Sequence, residues 1–464
     1  MNAPILWIFL PLALGGFSLL FRRERVLTLL GGTSALVLSL FAFLVPIDTA
    51  LLIGSVSFKL AGSLNVLGRS FVLQTADGPL LAIIYGLAAM WFFGAEAAGL
   101  ARRLIPLGLA ILSLLVAAIA VRPFLFAAVF IEIAVLLSVP MLLSSRQKPG
   151  RGILRYVIFQ TLAVPFILLA GWLLAGVETS PGDVELTAQS TAMLAMGFAF
   201  LLAIFPLYTW IPMLIEEAPP YLVGFLLWLL PQTTALFAMG FLDRYPFLRL
   251  STDLMNLLRA AGLLMVVSAG IWAAFQRHLG RLMGYAAIAE TGFLLVALGL
   301  GTNTGIQLVF LQIIPRGLGL AVWAISLSVI QSHANPPLFA NAQGVARAVP
   351  FATAGAILAN LSAAGFPLLA GFPVRIALLE SLARQSLGQT IWLALGLLGL
   401  MTGALRALGV TVTTNTGRWE THETRTQAAL VALGILALLV LGLFPQASRF
   451  LLENLPALFK NLGQ

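Results

Sequence analysis

The chain has 464 residues, 60% of them hydrophobic and only 9% charged, a balance that excludes a soluble globular protein and leaves an integral membrane one. It has no cysteine, which excludes disulfides, thiolate zinc sites and cysteine-held iron–sulfur clusters together, so any redox centre would sit on another chain. The net charge of +9 falls in short breaks beside apolar runs rather than on one soluble face, so it reads as a topology signal and not as a nucleic-acid surface.

In chain order, about fourteen transmembrane helices are predicted, at 3-20, 26-45, 79-98, 104-121, 124-143, 155-175, 192-214, 221-241, 257-275, 281-299, 304-331, 351-379, 390-408 and 427-445. The fold class is all-α integral membrane, since continuous apolar runs do not fit the alternating strands of a closed barrel. The first segment, Ala3 to Leu20, lacks a basic start and an Ala-x-Ala exit, and reads as a retained helix rather than a cleaved signal. Residues 46 to 78 alternate Val, Ser, Phe and Lys roughly, as a short hairpin on the membrane surface would. The stretch from Ser448 to Gln464 places Leu and Phe opposite Glu453 and Lys460, which predicts an interfacial amphipathic helix. The predicted units are 1-103 with three helices and the hairpin, five-helix units at 104-241 and 257-408, and 427-464 with the last span and the amphipathic segment.

An even number of spans returns the C-terminus to the side of the N-terminus. With both outside, the inner loops hold most of the Lys and Arg, among them Arg22, Arg23, Arg25, Arg102, Arg103, Arg146, Lys148, Arg151, Arg155 and Arg418. The expected location is the cell inner membrane, multi-pass, with both termini on the outer side.

Two segments interrupt the helix pattern alike: Phe205-Pro206-Leu207 followed by Pro212, and Phe366-Pro367-Leu368 followed by Pro373. Prolines within a span free backbone carbonyls, which is tolerable where they are buried in protein or line a wet cavity. Paired broken helices point to a transport pathway, and repeats of five helices are inverted relative to each other.

Ionisable residues inside spans need a reason. Glu132 is the only charge in its span, and a carboxylate there costs on the order of 3 kcal/mol to insert. It is either hydrogen-bonded for packing or a group that loads and releases a proton. Glu290 lies mid-span and is read in the same way. Arg316 follows Pro315 and Arg375 follows Pro373. An arginine keeps its proton, so these two set potential, hold water, or bridge for assembly. Together the four residues sum to zero charge. Glu216 and Glu217, Glu96 and Arg406 read as solvated span ends. His278, His333 and His422 are far apart in sequence, so neither a metal nor any other cofactor is expected, and no glycine-rich nucleotide motif follows a strand.

At these residues a family resemblance emerges. Gln276-Arg-His-Leu-Gly-Arg281-Leu-Met-Gly-Tyr285-Ala-Ala-Ile-Ala-Glu290-Thr-Gly292-Phe resembles, without a gap, the Q-x-x-L-K-R-L-L-A-Y-S-S-I-S-H-x-G-Y signature of the antiporter-like membrane subunits of complex I and related hydrogenase and Mrp antiporter complexes. Phe205-Pro206-Leu-Tyr-Thr-Trp210-Ile-Pro212, continuing to Glu217-Ala-Pro219, is similar to the family's P-F-H-x-W-x-P-D-x-Y-x-G-A-P. Leu361-Ser-Ala-Ala-Gly365-Phe-Pro367-Leu-Leu-Ala-Gly371-Phe372-Pro-Val-Arg375 resembles its L-S-L-A-G-I-P-x-x-x-G-F-x-x-K, and Glu132 stands where the family keeps its fifth-helix Glu.

The resemblance implies a subunit of a complex I-like redox-driven proton pump, set among other membrane subunits in lipid, with no redox chemistry or soluble substrate of its own. It also implies a degenerate path. The family's seventh-helix lysine falls on Leu201, its eighth-helix lysine on Pro231, and its twelfth-helix lysine on Arg375. One version translocates protons through Glu132, Glu290 and water past Arg316 and Arg375. Another is a non-conducting structural subunit of the same complex, and a third is an Mrp-type cation/proton antiporter subunit.

Overall fold

In hydrocarbon every backbone N–H and C=O must find a partner within the chain, and a continuous apolar run meets that demand by coiling. The computed structural model describes residues 2–53, 56–143, 149–180, 182–413 and 420–462. Arg146, Lys148 and Arg418, counted above among the inner-loop charges, lie outside the described residues.

The first span, Ile5–Ser18, ends in α1 (Leu10–Ser18) and is followed by α2 (Glu24–Leu44). Then come α3 (Gly78–Gly94), α4 (Ala101–Ala120), α5 (Ala127–Leu142), α6 (Arg151–Thr179) and α7 (Val184–Leu201). The short α8 (Trp210–Glu217) leads into α9 (Pro220–Arg244), the small α10 (Pro246–Arg249), α11 (Thr252–Phe275) and α12 (Leu279–Gly299). The pair α13 (Asn303–Leu311) and α14 (Ile313–Gln331) forms one span, and α15 (Pro350–Ala363), α16 (Phe372–Ala383), α17 (Leu387–Val412) and α18 (Arg425–Leu443) follow. Among the described residues, twelve helices are long and apolar enough to cross a membrane, and two shorter apolar ones, Ile5–Ser18 and Pro350–Ala363, stand at the remaining predicted positions. The molecule is thus a multi-pass, nearly all-helical membrane protein.

Between the two broken helices lie four spans: α9, α11, α12 and the α13–α14 pair. The chain therefore crosses five times from one break to the other, and the two copies run in opposite directions. α12 sits at the centre with its whole apolar window buried, and α9 is nearly as enclosed. These two helices and α14 hold the polar groups discussed below.

Two expectations need correction. Residues 46 to 78 form two hairpins rather than one: β1 (Ala50–Ile53) pairs antiparallel with β2 (Val56–Lys59), and β3 (Ser63–Val66) pairs with β4 (Arg69–Val72), which β5 (Val121–Arg122) extends. Gly68 at φ +74 makes the second turn that alternation alone does not reveal. The stretch after Ser448 is not a continuous amphipathic helix. It breaks into α19 (Arg449–Leu452) and a 3-10 turn at Leu455–Leu458, because Pro456 supplies no backbone donor. Leu452, Leu455 and Leu462 are buried, and the N–H groups of Asn461 and Leu462 donate to the Asp243 carboxylate (2.6 and 3.2 Å), so this tail is tied to the end of α9.

Candidate functional site

Both helix breaks are built by the same backbone device. α7 ends with Ile204 N–H donating to Ala199 O (2.9 Å) and Ala203 in the left-handed region at φ +51. α15 ends with Phe366 N–H donating to Leu361 O (2.9 Å) and Gly365 at φ +75. Each is a Schellman-type end, which satisfies one carbonyl and turns the chain out of the helix. The next helix restarts with a proline in its first turn, Pro212 in α8 and Pro373 in α16, where a missing N–H costs nothing. Pro206 and Pro367 lie in the turns between. The remaining orphan carbonyls at each break are the polar surface around which the two sites form.

At the second break those carbonyls meet charge. Arg375, on the first turn of α16, reaches back so that its Nε donates to Ala363 O at the end of α15 (3.4 Å). Its guanidinium lies 3.8 Å from the ring centroid of Phe293 and ion-pairs with Glu290 of α12. Both partners are buried, at 3% and 5% exposure. Gly365 has no room for a side chain, since a Cβ there would stand 2.9 Å from Arg375 Cγ. The second Glu290 oxygen, Oε2, has no protein donor among the described residues. A cavity of about 10 Å³, space for one water, is lined by Glu290, Arg316, Pro315, Ser362 and Gly371.

Arg316 of α14 is 2% exposed, and its Nη2 donates to Leu227 O (2.9 Å) and Thr291 Oγ1 (3.0 Å). Leu227 is four residues before Pro231, so its carbonyl is the one that Pro231 deprives of a helical donor. Arg316 thus caps the carbonyl freed by the residue standing where the family resemblance places a lysine. The two guanidinium groups and one carboxylate leave the cluster with net positive charge. Glu132, which would have balanced it, lies elsewhere.

The first break carries no charge among the described residues. There Gln160 of α6 donates through Nε2 to Phe200 O (3.3 Å) and Leu201 O (3.2 Å), the neutral counterpart of Arg375. A second cavity of about 10 Å³ is bordered by Gln160, Leu201, Pro231, Tyr156 and Trp210. Leu201 and Pro231, far apart in sequence, are brought to one spot, and no amine or carboxylate of the described residues borders it.

Glu132 is half-buried on the seam between α5 and α6. Its Oε1 accepts a hydrogen bond from Thr161 Oγ1 (2.7 Å), while Oε2 has no partner among the described residues. Glu216 and Glu217 are not the loose loop ends expected. Glu217 caps the start of α6 by accepting from Gly152 N–H (2.8 Å) and Ile153 N–H (3.1 Å), and Glu216 pairs with Arg281 (2.7 Å). Arg406, half-buried, caps the end of α11 by donating to Ala274 O and Gln276 O. Glu96 forms a partly exposed pair with Arg25 (3.0 Å). Gln160, Thr291, Gln232 and Gln312 went unnoticed in the sequence, although polar residues inside apolar spans are themselves a signal. His333 and His422 meet with ring centroids 5.8 Å apart, but no group of three metal-ligating side chains forms among the described residues.

His278 caps α12 from outside the span: its Nδ1 accepts from Gly280 N–H (3.0 Å) and Arg281 N–H (3.3 Å). Burial pushes its imidazole below the usual 6.5, against the pull of Glu216 and with the push of Arg281. A folded value below the unfolded one means that the unfolded chain takes up the proton first. The cap's stability is therefore complete above the unfolded value and is lost as pH falls from it through the folded one. His278→Asn keeps a capping oxygen without titration, and is expected to flatten the fall in melting temperature on acidification below about pH 6.5, as thermal unfolding at several pH values would read.

Residues 183–402, which span both breaks and the charged cluster, match the family model for the transmembrane region of NADH:quinone oxidoreductase and Mrp antiporter proteins. An NADH-quinone oxidoreductase subunit 14 from Thermus thermophilus is 30% identical over 325 residues, covering 67% of this chain and 71% of the relative. The chain belongs to this NADH:quinone oxidoreductase/Mrp antiporter membrane family. The chain spans 71% of the length of the Thermus thermophilus relative and 42% of the length of an NAD(P)H-quinone oxidoreductase chain 4-3 from a Nostoc strain, to which it is 26% identical. Among solved structures, a chain of respiratory complex I from Thermus thermophilus with bound NADH superposes with a TM-score of 0.80 at 22% identity, over 99% of this chain and 100% of the other. A chain of the Mrp complex from a Dietzia strain gives 0.79 at 17% identity, over 100% of this chain and 97% of the other. These two share the fold of the antiporter-like family. Glu132 lies outside the stretch that the family model matches, whereas Glu290, Arg316 and Arg375 lie inside it.

Proposed function

We propose that the chain is an antiporter-like membrane subunit of a complex I-like redox-driven proton pump, placed in the cell inner membrane beside other membrane subunits with both termini outward. Its own proton step is carried by Glu290. The observation that supports this most is a carboxylate buried at the second helix break, one oxygen paired with Arg375 and the other without a protein donor beside a one-water cavity. Such a group can take up and lose a proton, whereas Arg375 and Arg316 stay charged and set the potential that it feels. The chain itself binds neither NADH, nor a cluster, nor a soluble substrate in this reading. The name of the Thermus thermophilus relative favours a redox-driven assembly, and the likeness to an Mrp complex keeps a cation/proton antiporter subunit as the alternative.

A second reading, a non-conducting structural subunit, is favoured by the uncharged cavity between Leu201 and Pro231. Proton pumping by the purified assembly in liposomes, at matched electron flux, separates the two. The variant Glu290→Gln/Arg375→Gln removes the titration and leaves no unpaired arginine of that pair. A fall in pumping stoichiometry with the assembly intact is the expected result. Unchanged stoichiometry would make the subunit structural, and purification without any redox subunit would favour the antiporter.

A further inference from the structure

A cavity of about 1120 Å³ opens on the face that carries both termini, beneath the β3–β4 hairpin. Asp77, Arg122, Asp243 and Arg244 line it, so it is polar and mixed in charge, and at its inner end lies Thr233 of α9. Thr233 is 2% exposed and stands mid-helix, two residues from Pro231. Its neighbour Gln232 is 3% exposed, and neither its Oε1 nor its Nε2 has a partner among the described residues. A buried amide left unsatisfied at both ends is costly, and natural interiors avoid it unless water or a ligand completes it.

The orphan groups continue across the seam between α9 and α14. Among the described residues Trp228 Nε1, one turn before Gln232, has no partner, nor does Gln312 Nε2, one turn before Arg316, nor Arg316 Nε and Nη1. The two helices are in close contact there: Arg316 bonds Leu227 O, and Trp228 Nε1 is 2.8 Å from the point that a Cβ on Gly317 would occupy. Donors and acceptors without protein partners thus occur along the seam from the end of the wide cavity to the cavity shared by Arg316 and Glu290.

We propose that this cavity is the mouth of a water path running past Thr233 and Gln232 along the α9–α14 seam to Arg316 and Glu290. The path serves protons in place of the amines missing at Leu201 and Pro231, and in that sense it rests on the function proposed above. The Gln232 amide is a positioning group: it offers a donor and an acceptor to water but does not itself titrate. Glu290 Oε2 releases its proton to the water of this path, which carries it out to the face of the termini.

The chain's lack of cysteine gives a clean test. In vesicles with that face outward, Thr233→Cys in the whole assembly is expected to react with a charged, membrane-impermeant thiol reagent on this chain many times faster than Ala269→Cys, a buried site on α11 away from the path. Gln232→Leu is expected to lower proton pumping at matched electron flux with the assembly intact, while Gln232→Asn, which keeps the amide, retains more of it. Labelling of Thr233→Cys no faster than of Ala269→Cys overturns the path, as does full pumping in Gln232→Leu. If Glu290→Gln/Arg375→Gln lowers pumping but Gln232→Leu does not, the path falls and the proposed function stands. If neither lowers it, both fall.

Discussion

Replacing Glu290 alone with glutamine is expected to destabilise the chain by about 3–5 kcal/mol, because it leaves the Arg375 guanidinium buried with no counter-charge. The mirror change, Arg375→Gln, should cost less, and less still as pH falls. The orphaned carboxylate can neutralise itself by taking a proton, whereas an orphaned guanidinium cannot. Arg375 also keeps its contact with Ala363 O and the Phe293 ring when Glu290 is gone, but these are weak compensation for a charge at 3% exposure. The double variant Glu290→Gln/Arg375→Gln removes both charges and is expected to recover most of the loss, since replacing a whole buried pair is often close to neutral. Thermal unfolding of the chain in detergent at two pH values checks all three statements. Equal losses in the two single variants at every pH would mean that lost contacts rather than an orphaned charge set the cost, and a double variant as unstable as Glu290→Gln would mean that packing rather than charge holds the break together.

Much of this arrangement was legible in the sequence, for reasons that are specific to membranes. A span needs some twenty apolar residues and tolerates few exceptions, so the helices and the interrupted segments at Pro206 and Pro367 stand out without any structure. Buried charge is rare there too, which is why Glu290, Arg316 and Arg375 could be singled out. What the residues could not disclose is who meets whom. The zero charge sum suggested one cluster of four, yet Glu132 is on the α5–α6 seam with Thr161, and the remaining three carry an excess positive charge. Glu217 looked solvated because its partners, the first amides of α6, are backbone groups more than sixty residues away and invisible to composition. The amphipathic face after Ser448 is real, but Pro456 and the tie to Asp243 turn it into a strap rather than a helix. Gln160 was missed for a different reason. A glutamine in an apolar run draws less notice than a charge, although it does at the first break what Arg375 does at the second.

Arg316 and Pro231 are expected to be coupled, so that Arg316→Leu costs less in a Pro231→Ala background than in the wild type. In the wild type the Leu227 carbonyl has no helical donor, since the residue four positions on is a proline, and Arg316 Nη2 completes it. Removing Arg316 orphans that carbonyl in a buried helix, at a cost of about 1–3 kcal/mol. In the Pro231→Ala background the restored N–H of residue 231 bonds Leu227 O within α9, and the same removal no longer orphans it. Arg316→Leu also deletes an unbalanced buried charge, which stabilises, so the sign of the single effect alone decides nothing. That term is present in both backgrounds and cancels in the cycle, leaving a coupling of about 0.5–3 kcal/mol, the range usual for groups in direct contact. The measurement is the difference in unfolding free energy, or in melting temperature, among the wild type, the two single variants and the double. Equal costs of Arg316→Leu in the two backgrounds would show that Arg316 is held by Thr291 instead. A smaller cost after Pro231→Ala would establish that Arg316 completes the Leu227 carbonyl that Pro231 leaves without a helical donor.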